Sequence, residues 1–534
     1  MNATMAAPGA SASTITVKDL LFCGLWVLCA ASGMAQLFID GSPDNVESVG
    51  WVLCSCTVVL SYLWRSQATT THPLSSLSLL GLLNSTQMAA LIAQTADGQS
   101  LSAMLRVPTF TFFMLAVVST VATGLHLAYR YLLPLQVPSQ WLANRVWGPL
   151  GALSPPPPIV IWCLSAIGIL AQLVGGGGIG DVGGKFLAGL AFMMWLPFLI
   201  PIYQRMSGGT YCNIKKQLPF VVGLGLFIVA ESLARNGRGG IFAIPMQMTL
   251  VFLLYFLHTP HPVTRRFMKG LAVLGLTAAV GMAVMTDLAT AMVVARDKRD
   301  TVSTSELMQY TWEVYLDKPL LEARRESSNL ASLTSQYDEN YLSNPLLARF
   351  AETKFHDNMF FMVSDLRPDE RWEAAALSVF RVVLLFPQTV HDFFETKVDK
   401  DQHLYSMGDY YINLHHGAGF AYVTGSIWAD TYALAGPWFP FACVLLLLPC
   451  FWIFDGMSQS GKAFVVSPVA MCMAWQIFHF GLGGESIGTK SGFLLRDTPQ
   501  RLVLYLLTLA VLTFVLRLFK LMPPKLSQKT GKLV

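Results

Sequence analysis

The sequence predicts an all-α polytopic membrane protein, and three observations carry that expectation. Of its 534 residues 53% are hydrophobic and only 13% charged, with a mean hydropathy of +0.50, where a soluble domain carries about 25% charged residues. Apolar runs of roughly 20 residues, the length of helix that crosses a bilayer, recur along the chain. Lysine and arginine also alternate between successive connections, as the positive-inside rule requires of a chain that threads a membrane repeatedly.

Windows of about 20 apolar residues place spans near 20–39, 49–64, 74–93, 108–128, 157–174, 186–204, 218–234, 240–258, 268–292, 433–455, 464–483 and 499–519, about twelve helices. They divide the chain into an N-terminal bundle (1–292, about nine helices), a large connection (293–432) and a C-terminal group of about three helices with a basic tail (433–534). The third window carries Ser75, Ser76, Asn84, Ser85, Thr86 and Gln87, polar enough for a buried or partial span. Residues 1–16 lack a basic leader and a cleavage site, so the first apolar run reads as a retained anchor.

Lys18, Arg65, Arg130, Arg145, Arg205, Lys215, Lys216, Arg265, Arg266, Lys269, Lys462, Lys520, Lys525, Lys529 and Lys532 fall on one side of this threading. Asp40, Asp44, Glu47, Asp97, Asp181 and Lys185 fall on the other. Both termini are therefore expected in the cytoplasm, with 293–432 facing out. The net charge of +4 is too weak, and the basic residues too scattered, for a nucleic-acid partner. Eight of the nine cysteines lie in apolar runs and Cys212 in a short basic loop, a placement that gives neither disulfide nor metal spacing. They read as small buried hydrophobes.

The connection 293–432 far exceeds a helix–helix link of about 2–8 residues. Leu307, Tyr310, Val314, Tyr315, Leu320 and Leu321, then Leu346, Leu347, Phe350, Phe355, Met359 and Phe360, are spaced among charges as in folded helices. Residues 373–390 are apolar enough to dip into the membrane surface; a full crossing would put the basic tail outside, against the charge rule. The run Gly175–Gly184 lacks the Gly-Lys-Ser/Thr ending of a phosphate loop and reads as a flexible outer turn, and Pro155–Pro158 as a stiff spacer.

Two constellations carry chemistry. Arg235 and Arg238 sit in Glu231-Ser-Leu-Ala-Arg-Asn-Gly-Arg-Gly-Gly240, a turn wedged between two spans. Arginine near the bilayer core is disfavoured by roughly 2.5–3.5 kcal/mol, so an anion is the expected partner. A rigid guanidinium fork clamps phosphate oxygens bidentately, and Gly237, Gly239 and Gly240 let backbone N–H groups approach too. The alternative is pairing with headgroup phosphates or with Glu231. The second runs from Asp409 through His415 and His416 to Asp430 and Gly436. A histidine pair here offers a general base for a hydroxyl or merely loop hydrogen bonds; Asp430 offers an acid or a helix N-cap.

An outward-facing group transfer has no nucleotide sugar at hand and needs an activated donor. A polyprenyl-diphosphate sugar fits, with its tail in the bilayer, its diphosphate on interfacial cations and its glycan in a cavity under the long connection. Cations that stabilise the leaving diphosphate act electrostatically, without a metal or cofactor.

Many spans, a short outer Arg-Gly-Gly turn (235–240), one large outer connection, and a Gly425-x4-Asp430-x5-Gly436 helix start together resemble the O-antigen polymerase (Wzy-like) family of oligosaccharide repeat-unit polymerases. They are similar, more distantly, to O-antigen ligases. The resemblance covers the architecture of most of the chain through short motifs. It departs from the family at Asp430, where Glu is frequent, and at Arg381, whose Leu-Leu-Phe-Pro387 sequel lacks the preceding Pro and following Lys. His416 also lies further from Asp430 than the ligase spacing.

The resemblance implies a GT-C-type glycosyltransferase fold and polymerisation of lipid-linked repeats, or ligase-type transfer, at the outer face of a bacterial inner membrane. It implies a polyprenyl-diphosphate-linked oligosaccharide, membrane lipids, a flippase and a chain-length regulator as partners. Arg235, Arg238 and His416 become the expected catalytic residues; His415, Asp430, Arg381, Arg349, Lys490 and Arg496 are expected to bind substrate. A multi-span transporter is the competing class, disfavoured by the absence of a visible repeat and by ionisable residues such as Asp287 and Glu231 near span ends.

Overall fold

The computed structural model describes residues 15–174, 182–234, 238–298, 301–325, 342, 351–386, 388–394, 405–417, 423–461 and 463–521. The chain is an all-α, multi-pass membrane protein: eight of the described helices are long and apolar enough to cross a bilayer. They include α1 (Val17–Ile39), α2 (Pro43–Arg65), α3 (Pro73–Ala96) and α4 (Pro108–Tyr131). Then come α5 (Pro158–Val174), which is shorter, α6 (Phe186–Met206), α7 (Ile214–Ala234) and α8 (Arg238–His258). Helix α9 (Arg265–Ala295) folds back on α10 (Thr304–Leu316). Proline at the first turn of α2, α3 and α4 starts each helix where its missing N–H costs nothing.

Helix α3 is the polar third window, and it is buried almost all round, with 83% of its apolar window inside the protein against 28% for α1. A π-turn at Asn84–Met88 interrupts it. Gln87 donates to Ser119 Oγ at 2.9 Å and Ser75 Oγ hydrogen-bonds to Asp455, so neighbouring helices rather than lipid engage these two polar side chains.

The long connection sends one helix into this bundle. Helix α11 (Thr353–Asp365) packs on the π-turn, on α4, and on α14 (Ile427–Ala435). Helix α12 (Pro368–Val383) follows and packs on α14 and on α18 (Ile487–Gly492). Helix α13 (Met407–His416) packs on α11. The surface-active stretch expected at 373–390 is thus mostly α12, with Ala374, Ala375 and Ser378 buried while Val379, Val383 and Phe386 stay exposed.

The C-terminal part differs from expectation. Gly436 (φ +50°) separates α14 from α15 (Phe439–Gly456). A small antiparallel pair, β1 (Ser458–Gln459) and β2 (Val465–Val466), follows. The span expected at 464–483 is no continuous helix: it is two short pieces, α16 (Pro468–Cys472) and α17 (Ala474–His479), then non-helical backbone through 480–486. Backbone can unwind at such depth only when protein groups satisfy it, and here Lys490 does so. Its Nζ donates to the carbonyls of Phe480 and Gly481. Helix α19 (Thr498–Leu518) closes the bundle.

Candidate functional site

A group of deeply buried ionisable side chains gathers where α11 meets α3, α14 and the unwound segment. Lys354, His356, Asp357 and Asn358 on α11 are all but inaccessible, as are Glu352 just before it and His479 at the end of α17. Buried charge persists only when paired.

Docking begins at the π-turn. A π-turn displaces the regular ladder of α3, and α11 takes up carbonyls there: Glu352 N–H donates to Ser85 O and Thr353 Oγ1 to Thr86 O, both at 2.8 Å. One turn on, Asp357 accepts from Arg106 N–H (2.6 Å), Val107 N–H (3.0 Å) and Thr111 Oγ1 (3.0 Å). Helix α4 has no side-chain cap of its own; Asp357 instead fixes the backbone just before it, at Arg106 and Val107, to the Thr111 hydroxyl of its first turn. Lys354, 3.9 Å from that carboxylate, donates to Met104 O. Burial pushes the Asp357 carboxyl up, against the pull of its hydrogen bonds and of Lys354.

The histidines complete the cluster. His479 lies flat on Trp475 (centroids 4.4 Å, 15°), and its Nε2 meets Glu352 Oε1 at 2.8 Å. His356 Nδ1 meets Ser426 Oγ at 2.7 Å, and Ser426 is the N-cap of α14. Burial holds the His356 imidazole down to about 4, so it is neutral at physiological pH. Buried atoms here with no hydrogen-bond partner among the described residues include Glu352 Oε2, His356 Nε2 and His479 Nδ1. A histidine–carboxylate pair beside an uncharged imidazole is equipped to accept a proton from a hydroxyl.

Glycines let the backbones meet. A Cβ on Gly425 would stand 2.4 Å from Glu485 O, and Gly484 adopts φ +143° while accepting from Ile427 N–H at 3.0 Å.

Several of the residues singled out in the sequence converge beside this cluster. Asp430 is buried, accepting from Tyr411 Oη at 2.9 Å and from Ile487 N–H at 3.2 Å. It is not the N-cap of α14, a place held by Ser426; Asp430 ties α13 and α18 together instead. Burial raises the Tyr411 phenol well above its ordinary value, so it remains a neutral donor. Lys490 is fully engaged with the unwound carbonyls. Arg381 donates to Tyr405 O at 2.5 Å and lies over the Tyr405 ring, with its Cβ side against Gly488. These are fold contacts, and none of the three is turned into the Glu352–His356–His479 group by a described bond.

The others are placed apart. His415 pairs with the exposed Asp365 at 3.5 Å and packs edge-on to Phe361. Arg496 is more than half exposed and pairs with Asp497 at 2.8 Å. His416 is the last residue of α13 and Arg238 the first of α8, but their side chains lie outside the described residues, as do Arg235 and Arg349 altogether. Among the described residues no group of three His, Cys, Asp or Glu is placed to hold a metal ion.

Sequence reasoning missed Glu352, Lys354, His356, Asp357 and His479. The signal was present in the Lys354-Phe-His-Asp357 run and in the Gly481, Gly483 and Gly484 that follow His479. Comparison of the chain with protein-family models, with curated proteins and with solved structures gives no match in any of the three.

Proposed function

We propose that this chain is a metal-independent membrane glycosyltransferase that polymerises polyprenyl-diphosphate-linked oligosaccharide repeats at the outer face of a bacterial inner membrane. The observation that supports it most is the buried proton-accepting group Glu352–His479 with His356, set within the bundle by a helix of the long connection. In the proposed reaction an acceptor hydroxyl oxygen bonds to the anomeric carbon of the donor sugar. The bond from that carbon to the diphosphate breaks, its electron pair leaves with the diphosphate, and the hydroxyl proton passes to the histidine–carboxylate pair. Arg235 and Arg238, at the α7–α8 turn, are proposed to hold the departing diphosphate. Ligase-type transfer of finished glycan uses the same bonds and differs in its acceptor.

A transporter is the second reading, favoured by the unwound 480–486 segment, because broken spans also line the midplane sites of carriers. Deleting the gene and displaying the surface glycans on a gel separates the three. A ladder collapsed to one repeat in the null strain, in Arg238→Ala and in His479→Ala supports the polymerase. Polymer retained on the carrier lipid makes it a ligase, and an unchanged ladder defeats both enzyme readings.

A further inference from the structure

About ten residues back along α3 from the π-turn, roughly 15 Å at the helical rise, a second polar centre surrounds Ser75. Its Oγ lies 2.5 Å from Asp455 Oδ2 and 2.8 Å from His126 Nε2, and its N–H donates to Asp455 Oδ1 at 3.1 Å. His126 Nδ1 meets Tyr62 Oη at 2.7 Å, and Arg130 Nη1 donates to Tyr62 Oη at 3.3 Å.

With the Asp455 carboxyl ionised, hydrogen counting gives this chain one direction. Ser75 has one hydroxyl proton, and the short contact to a carboxylate oxygen takes it. His126 Nε2 must then donate to Ser75, so Nδ1 is the acceptor and Tyr62 donates to it. Tyr62 in turn accepts from Arg130. Every bond then points from the guanidinium to Asp455. The nearest linked cation is thus three side chains away.

That carboxylate forms part of the wall of a cavity of about 290 Å³. Buried Asp455, His72, Ser139 and Ser458 line it, and Gln140, Asn144 and Gln459 stand toward its more exposed part. No lysine or arginine lines it among the described residues. His72 adds no charge, since burial holds its imidazole down to about 4. Gln459 pairs with Val465 through its backbone, and no described side-chain hydrogen bond engages the Gln459 or Asn144 amide, which leaves both amides to a ligand.

We propose that this cavity binds a small hydrophilic organic cation, a primary ammonium group paired with Asp455 and a hydroxylated body held by the Asn144 and Gln459 amides. An ammonium group entering the cavity would pair with the Asp455 carboxyl and hold it ionised, a service that no lysine or arginine among the described lining residues supplies. The volume, close to ten waters at about 30 Å³ each, and the amide- and hydroxyl-rich lining suit an amino alcohol or amino sugar better than a bare metal ion. The site is separate from the Glu352–His479 group and does not depend on the function proposed for it.

The test is thermal unfolding of the purified full chain in nanodiscs with ethanolamine or glucosamine, against glucose and sodium chloride at matched concentration. The expected result is a saturable rise in Tm of several degrees with the two amines only. The rise should vanish in Asp455→Asn, which preserves shape, and in Asn144→Lys, an exposed rim change that threatens no core. Asn144→Asp should strengthen binding severalfold. Equal shifts with glucose or sodium, no shift with either amine, or a shift that survives Asp455→Asn and Asn144→Lys would each overturn the proposal.

Discussion

Replacing Asp357 by alanine should loosen the docking of α11 more than any other single change in the described part of the long connection. The carboxylate is inaccessible and accepts three hydrogen bonds, two of them from the otherwise uncapped start of α4. A hydrogen bond to a charged group contributes about 1.5–3 kcal/mol, but the three bonds share one group and do not add. The second consequence falls on Lys354, only 3% exposed, which loses a carboxylate 3.9 Å away; removing one partner of a buried ion pair costs about 3–5 kcal/mol. The two together set an expected loss of about 3–5 kcal/mol. Asp357→Asn keeps one acceptor and turns amide hydrogens toward a backbone N–H, so it should fall between the wild type and alanine. Hydrogen exchange over 353–365 and thermal unfolding in nanodiscs would read the effect, with Asp365→Ala, an exposed neighbour, as the control expected within about 0.5 kcal/mol. Exchange and Tm unchanged in Asp357→Ala would refute the reasoning that this carboxylate joins the two helices.

The same region should respond to acid with a definite sign. His356 is held down to about 4 in the folded protein against about 6.5 unfolded, so the unfolded chain binds the extra proton as pH falls through that window, removing on the order of 3 kcal/mol. Asp357 acts oppositely: its raised carboxyl favours the folded state below the unfolded pKa and loses that advantage as pH rises through the folded one. Wild-type Tm should therefore fall between about pH 6.5 and 4, and His356→Gln should flatten the fall; equal slopes would remove His356 as its source. For the proposed reaction, His479→Ala should lower turnover about 10²–10⁴-fold with normal membrane accumulation, and Glu352→Gln should lower it less; full turnover in both would eliminate the pair as base. Gly81→Val should block assembly, since a Cβ there would stand 1.7 Å from Phe478 O, whereas Gly124→Ala meets nothing within 4 Å and should be silent; comparable yields of the two would refute the close helix crossing.

The membrane-spanning character was legible because bilayer length and apolarity are averages over a window, and averages survive local irregularity. The polar third window likewise announced burial through Asn84, Ser85 and Gln87. The same averaging failed at 464–483, where Phe, Leu, Met and Ile keep the mean apolar while Gly481, Gly483 and Gly484 break the helix. What compensates the break is Lys490, beyond the window, so no local reading connects the two. Asp430 was noticed for its position before an apolar run, yet its partners Tyr411 and Ile487 lie 19 and 57 residues away in sequence, and only the fold shows that Ser426 is the cap. On α11 the failure has a different origin. Periodicity draws attention to the apolar positions Phe355, Met359 and Phe360 and passes over the charged ones between them; the fold buries Lys354, His356 and Asp357 because the backbone before α4 offers N–H groups and α3 offers the carbonyls of its π-turn.

That reversal has a mechanistic consequence. An apolar helix face would slide along its neighbours at little cost, since hydrophobic burial is non-directional. Each polar contact of α11 fixes it instead at one height: Glu352 to Ser85, Thr353 to Thr86, Asp357 to the start of α4, His356 to the cap of α14. A shift of one residue, 1.5 Å along the axis, would break all four and strand Lys354. The contacts that place Glu352 against His479 are thus the same ones that anchor the connection to the bundle. Docking and the geometry of the histidine–carboxylate pair should consequently be lost together, so that Asp357→Ala, which touches neither member of the pair, lowers the proposed activity in proportion to the exchange it induces in α11.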